Sequence, residues 1–83
     1  MQGQTAYFTA QKDSDRIIRE KLTAVYDALN EKGYDAVNQI VGYLFTEDPT
    51  YITSNRNARA IMSSMDRDDI LELLVRNFMK DRS

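Results

Sequence analysis

The chain has 83 residues, which is enough for one domain. A chain of this length buries only about 60% of the surface that its unfolded form exposes, so it needs good helix packing or a partner subunit. It contains no cysteine and no histidine, which excludes disulfides, the usual zinc sites and Cys–His or Ser–His catalytic pairs. We therefore expect no enzyme activity, no cofactor and no bound metal.

Net charge and hydropathy also argue against a nucleic-acid-binding, membrane or secreted protein. Eleven Lys and Arg residues against 13 Asp and Glu residues give a net charge of −2, whereas nucleic-acid binders generally carry a basic excess. The sequence has no apolar run long enough to span a bilayer, and its N-terminus lacks the pattern of a signal peptide. We predict a cytoplasmic protein that neither inserts into a membrane nor binds nucleic acid.

The first 12 residues differ from the rest, because they are rich in Gln and Thr and have no helical period. We predict a flexible N-terminal tail over residues 1–12 and a helical domain over residues 13–83. A short strand over residues 7–9 is the alternative. Thr5 and Thr9 in this tail are candidate kinase sites, although taken alone they are ordinary polar residues.

Five helices are predicted after the tail. The first begins at Asp13 or Ser14 and ends at Gly33, and the second runs over residues 35–45 with Gly42 at a close crossing. The third is one short helical turn over residues 49–52 after Asp48, and two helices follow over residues 55–64 and 66–80. The expected apolar positions are Ile18, Leu22, Val25, Leu29, Val37, Ile40, Val41, Leu44, Phe45, Ala58, Ile61, Met62 and Met65.

The last helix is apolar around much of its circumference, so either the other helices wrap it or a second copy of the chain covers it. The sequence thus predicts a compact all-α domain that forms a homodimer. The residues that we place near the dimer interface are Leu71, Leu74, Val75 and Phe78.

Two charged groups are candidate sites. Asp66, Asp68 and Asp69, with Glu72, have the composition of a hard-cation site but lack the spacing of an EF-hand, so helix capping is the favoured interpretation. Residues 51–65 contain Arg56 and Arg59 and no acid, and Arg67 follows. These arginines are candidates for binding a carboxylate or phosphate on a partner, but local spacing favours a solvated face that pairs with Asp66 or Asp68.

Several sequence blocks resemble one known family. Residues 25–34 read VYDALNEKGY and residues 37–44 read VNQIVGYL, and the likeness continues through 48–52, 58–59 and 67–70. This pattern is similar to the IreB family of Gram-positive bacteria, also known as ReoM or YrzL. The likeness covers about residues 5–80.

The resemblance implies a small helical homodimer without enzymatic activity. Members are phosphorylated on a tail threonine by a membrane Ser/Thr kinase, opposed by a phosphatase, and the matching threonine here is Thr5, with Thr9 a weaker second candidate. The family controls peptidoglycan synthesis and cephalosporin resistance, and its unphosphorylated form is thought to promote ClpCP-dependent degradation of MurA. Arg59 and Arg67 match arginines of the family's functional surface, whereas Arg56 has no clear counterpart.

The sequence also departs from the family pattern. It has Thr53, Ser54 and Asn55 where members typically have Pro-Arg-His, and it has Ser63 and Ser64 where they have paired arginines. We predict a phosphorylation-switched regulatory adaptor with a thinner basic patch. The alternatives are a small helical nucleic-acid-binding regulator and a purely structural dimer module.

Overall fold

The computed structural model describes the backbone of residues 2–81 and the side chains of residues 13–81. All regular elements of the described part are helical, as predicted, with helices α1 (Gln2–Glu31), α2 (Ala36–Thr46), α3 (Ala58–Ser63) and α4 (Arg67–Asp81). Two single 3-10 turns, Pro49–Tyr51 and Asn55–Asn57, lie between α2 and α3. The prediction of five helices was therefore wrong, because the third predicted helix is only a 3-10 turn.

Helix α1 begins at Gln2, whereas the sequence indicated a start at Asp13 or Ser14. The side chains of residues 1–12, Thr5 and Thr9 among them, lie outside the described side chains. The flexible tail over residues 1–12 accordingly stays a prediction.

The ends of the helices follow local signals that the sequence carries. After α1, Gly33 has φ 80°, and the Tyr34 N–H donates to the Leu29 carbonyl at 3.1 Å, which closes the helix as in a Schellman motif. Asp35 caps α2 by accepting from the Asn38 N–H at 3.2 Å. The predicted end of the first helix and start of the second are thus confirmed.

The first 3-10 turn packs against α2 at Gly42. A methyl group at that position would overlap the ring of Tyr51, so the glycine permits a close approach between the two elements. The Gln39 side-chain amide donates to the Tyr51 carbonyl at 2.9 Å and fixes the same contact. The predicted close crossing at Gly42 is confirmed.

The predicted helix over residues 55–64 is broken near its start. Arg56 and Asn57 both adopt left-handed backbone conformations, with φ 53° and 63°. The Asn55 side chain donates to the Ala28 carbonyl of α1 at 3.1 Å and to Glu31 at 2.7 Å. These contacts hold the second 3-10 turn against α1, and a regular helix begins only at Ala58.

The core lies where α1, α2, α3 and the start of α4 meet. Thirteen of the apolar side chains that the structure describes are buried there, and the largest that are fully buried are Leu29, Ile52, Met62, Ile70 and Val25. The apolar face predicted for α2 was partly wrong, because Val37, Val41 and Phe45 are exposed while Ala36 and Tyr43 are buried. Phe45 is 85% exposed.

Candidate functional site

Arg59 is one of the arginines predicted to bind a partner, and its side chain contacts the first 3-10 turn. Its Nε–H donates to two backbone carbonyls, that of Pro49 at 3.1 Å and that of Ile52 at 3.0 Å. Asp48, which precedes this turn, accepts hydrogen bonds from the hydroxyl and N–H of Thr50, and these bonds lower the pKa of its carboxyl. The charge of Arg59 lowers the same pKa by a smaller amount. Arg59 therefore stabilises this turn.

Arg67 makes an equivalent contact with the end of α2. Its Nη1 donates to the Leu44 carbonyl at 2.9 Å, and its Nε lies 3.5 Å from the Glu47 carboxylate. Leu44 belongs to the last turn of α2, whose carbonyls have no partner within the helix. Arg67 thus joins the start of α4 to the end of α2.

Arg56 lies apart from these two contacts, beside the C-terminal end of α1. Its Nε is 3.8 Å from Glu31, and both side chains are largely exposed. The Glu31 carboxyl accepts a hydrogen bond from Asn55, which is the main reason that its pKa is lowered, and Arg56 adds to the effect.

Of the three predicted arginines, Arg59 and Arg67 therefore hold two different parts of the described backbone in place, whereas Arg56 makes only an exposed ion pair. Among the described residues, ion pairs join Arg56 to Glu31 and Arg67 to Glu47, not to Asp66 or Asp68 as local spacing suggested. Arg56 and Arg59 are exposed and Arg67 is half-buried. The role of Arg56, Arg59 and Arg67 in partner binding stays a prediction.

A second group of charged residues lies between α1 and α4. The two helices are far apart in the sequence (Asp15 and Arg76 are 61 positions apart), and sequence reasoning missed this group. Arg76 donates to both oxygens of Asp15, at 2.8 and 3.2 Å, and Arg19 donates to the Asn77 side chain. These residues line an open cleft of ≈ 730 Å³, which we call the α1–α4 cleft: Asp15, Arg16, Arg19, Glu20, Arg76, Asn77 and Lys80.

The electrostatics of this cleft are dominated by cations. The hydrogen bonds from Arg76 are the main cause of the lowered pKa of the Asp15 carboxyl, and the charges of Arg76, Arg19 and Lys80 lower it further. Reciprocally, Asp15 raises the pKa of Arg76. The available sequence signals were the pair Arg16 and Arg19 on one helix and the pair Arg76 and Lys80 on another, at spacings that share a helix face.

The predicted dimer residues are exposed on one side of α4. Leu71, Leu74 and Val75 are substantially exposed, and Phe78 is 70% exposed. An apolar groove of ≈ 350 Å³ continues from Leu74 onto α1 and α2, lined by Leu22, Thr23, Tyr26, Val37, Ile40, Val41 and Leu44. Such a continuous apolar surface is typical of an interface.

The acidic residues Asp66, Asp68 and Asp69 lie at the start of α4. The Asp66 carboxylate accepts from the Asp68 N–H at 3.1 Å, and the Asp66 carbonyl accepts from the Ile70 N–H at 3.2 Å. Capping by Asp66 is therefore confirmed. Within residues 2–81, no group of three or more acidic residues is placed to hold a metal ion, and no helix is both long and apolar enough to cross a membrane.

Comparisons with known proteins identify the family. The sequence profile described as "IreB regulatory phosphoprotein" matches residues 3–80. A curated relative, described as "UPF0297 protein" of Lachnoclostridium phytofermentans, is 48% identical over 75 residues, which cover 90% of this chain and 85% of the relative. The chain belongs to the IreB family of regulatory phosphoproteins.

Proposed function

We propose that this protein is a non-enzymatic cytoplasmic adaptor whose activity is switched by phosphorylation of Thr5. The observation that carries the proposal is the match to a family of regulatory phosphoproteins over residues 3–80, a range that includes Thr5. The composition agrees, because a chain without cysteine or histidine lacks the usual nucleophile–base pairs. The modifying enzyme in this proposal is a membrane Ser/Thr kinase, opposed by a phosphatase.

The switch acts through a partner that binds the unphosphorylated protein. We place that partner's binding site around Arg59 and Arg67, because a guanidinium has five N–H donors, more than the hydrogen bonds to backbone carbonyls use, and binds carboxylates well. The partner proposed from the family resemblance is MurA or the ClpCP machinery that degrades it. Phosphorylation of Thr5 prevents this binding, so MurA accumulates, peptidoglycan synthesis rises and cephalosporin resistance follows.

The adaptor functions as a homodimer in this proposal. The apolar residues of α4, with Phe78 the most exposed of the four predicted interface residues, provide a surface that a second copy would bury. A substitution of Phe78→Glu is expected to shift the protein to monomers in sedimentation equilibrium. Phe45→Glu on α2 is the matched control, because Phe45 is equally aromatic and even more exposed, at 85%; a loss of dimer in that variant alone would place the interface on α2.

Mass spectrometry tests the modification itself. The protein is isolated from cells under cell-wall antibiotic stress, and the peptide containing residues 1–12 is compared with that from unstressed cells. We expect phosphate on Thr5. A Thr9→Ala variant should be phosphorylated on Thr5 to the same extent as the wild type. A tail that carries phosphate on Thr9 alone, or none under any stress, would contradict the proposal.

Binding measurements test the switch. MurA and the Clp adaptor machinery are titrated with the wild-type protein, with Thr5→Ala and with Thr5→Glu, which approximates the charge of a phosphate. Thr5→Ala should bind as the wild type does, and Thr5→Glu should bind several-fold more weakly. Equal affinity for all three proteins would refute the switch.

A further inference from the structure

The α1–α4 cleft has a net positive lining, although the whole chain has a net charge of −2. Its lining has four cationic side chains against two anionic ones, and Asn77 adds an amide. Concave surfaces lined by one sign of charge concentrate the potential that acts on a ligand. The cleft therefore suits an anion.

The cationic side chains act on the same position in the cleft. Asp15 accepts from Arg76 and is also stabilised in its charged form by Arg19 and Lys80. Its carboxylate thus marks a point where three cations from two helices reinforce one another. A phosphate monoester, with a charge of about −1.5 to −2 at neutral pH, responds to the same field more strongly than a carboxylate does.

Arg16 and Arg19 both line the cleft, and their spacing of three residues places them on one face of α1. Arg16 is 61% exposed in its side chain and pairs with Glu20 across 3.6 Å, a weak surface contact that a dianion can replace. Arg19 donates to Asn77 and keeps further guanidinium N–H groups. Arg59 and Arg67, by contrast, direct N–H groups at the backbone carbonyls of the turns and of α2.

The chain itself brings a phosphate to this cleft. Thr5 precedes Asp15 by ten residues, a length that spans up to about 33 Å when extended. Covalent attachment through so short a segment gives the phosphate a local concentration on the order of millimolar. This step rests on the proposed phosphorylation of Thr5.

We propose that the α1–α4 cleft is the receptor for the phosphate on Thr5, with Arg16 and Arg19 as its donors. In a continuous α1, residues 5 and 16 lie about 16 Å apart, beyond the reach of an arginine side chain. Docking therefore unwinds the first turns of α1. The segment is suited to this, since Gly3, Thr5, Tyr7, Phe8 and Thr9 all have lower helix propensity than Ala or Leu.

Semisynthesis makes the phosphorylated chain without a kinase. Because the chain has no cysteine, a synthetic phosphopeptide of residues 1–9 can be ligated to a cysteine at position 10, which desulfurisation then converts to the native Ala10. The ³¹P signal of phosphothreonine 5 is titrated against pH in the full chain and in the free phosphopeptide. We expect the phosphate pKa to be lower in the full chain by about half a pH unit or more.

Matched variants locate the receptor. Arg16→Gln with Arg19→Gln should return the phosphate pKa to its value in the free peptide, and Arg59→Gln with Arg67→Gln should leave it low. The single variant Arg16→Gln, at an exposed position, gives a partial return even if the double variant unfolds. Backbone chemical shifts of residues 2–9 should lose helical character on phosphorylation of the wild type.

Two results would overturn the proposal: equal phosphate pKa values in the full chain and the free peptide, or a return to the peptide value in the Arg59 and Arg67 variant but not in the Arg16 and Arg19 variant. The phosphate is installed chemically, so these results do not depend on whether a kinase modifies Thr5 in cells. Mass spectrometry of the cellular protein decides that separate question.

Discussion

The two ends of this molecule are held together by different forces. At one end, which we call the turn end, α2, the 3-10 turns and α3 pack around fully buried residues such as Ile52 and Met62, and arginines donate to backbone carbonyls. At the other end, the α1–α4 cleft, α1 and the last turns of α4 are joined by polar contacts such as Asp15–Arg76. The α4 residues beyond Leu73 are exposed or half-buried.

This difference indicates which end can respond to a signal. Buried apolar contacts at the turn end resist small electrostatic changes, whereas exposed ion pairs exchange readily for other charges. Regions with few buried apolar contacts also open at low free-energy cost. A change of charge at the α1–α4 cleft is therefore expected to alter α4 and its apolar surface without unfolding the core.

The largest effect is expected from Met62→Ala at the turn end. Met62 is fully buried, and removal of such a side chain typically costs about 2–5 kcal/mol of the free energy of unfolding. Met79→Ala on the exposed side of α4 is the control and should cost well under about 1 kcal/mol. Urea denaturation of both variants measures the difference, and similar losses would contradict the contrast between the two ends.

Arg59→Gln is expected to have the next largest effect. It removes the donor shared by the carbonyls of Pro49 and Ile52, and hydrogen bonds from a charged group are worth on the order of 1–2 kcal/mol near a surface. Arg56→Gln is the matched control, because Arg56 makes an exposed ion pair at 3.8 Å. If thermal denaturation shows equal losses, Arg59 has no special role in holding the turn.

Gly42→Ala tests the close packing of Tyr51 on α2. Overpacking typically costs about 1–3 kcal/mol, and the gain in helix propensity offsets about 1 kcal/mol of it, so a net loss near 1 kcal/mol is expected. In a Tyr51→Ala background the overlap is gone, and the same substitution should stabilise the protein. A loss of equal size in both backgrounds would show that Tyr51 is not the cause.

Asp15→Asn at the α1–α4 cleft should have the smallest effect on global stability. It removes the ion pair with Arg76, so amide hydrogen exchange in the last turns of α4 should accelerate several-fold while the urea midpoint changes little. Exchange measured by NMR or mass spectrometry would reveal it. Unchanged exchange in α4 would mean that the ion pair does not hold the helix.

The same variant should alter the pH dependence of α4 protection. The pKa of Asp15 is lowered in the folded state. The stability that its carboxylate contributes to α4 is therefore present at pH values above the ordinary aspartate pKa of about 3.9, and it is lost as the pH falls through the lowered pKa. The difference between wild type and Asp15→Asn should therefore be constant between about pH 5 and pH 8 and shrink below about pH 4. A difference that grows on acidification would contradict the assignment.

The local features of the fold could be predicted from the sequence. Gly33, Asp35 and Asp66 act on atoms only a few residues away, so the residue type and its position suffice to predict the cap. The kink at Arg56 and Asn57 could not be predicted, since Asn55 reaches across to the Ala28 carbonyl on another helix.

For the candidate sites, the sequence by itself determined the family blocks, the helical class, the absence of the usual nucleophile–base pairs and the position of Thr5 near the N-terminus. Only the tertiary structure decided which arginines contact the backbone and which line a cleft. Hydrophobic period and capping are short-range properties, whereas the partner of a charged side chain depends on how distant helices pack. Arg76 donates to Asp15, which lies 61 positions earlier in the sequence. A pattern of neighbouring residues cannot predict a contact over that separation.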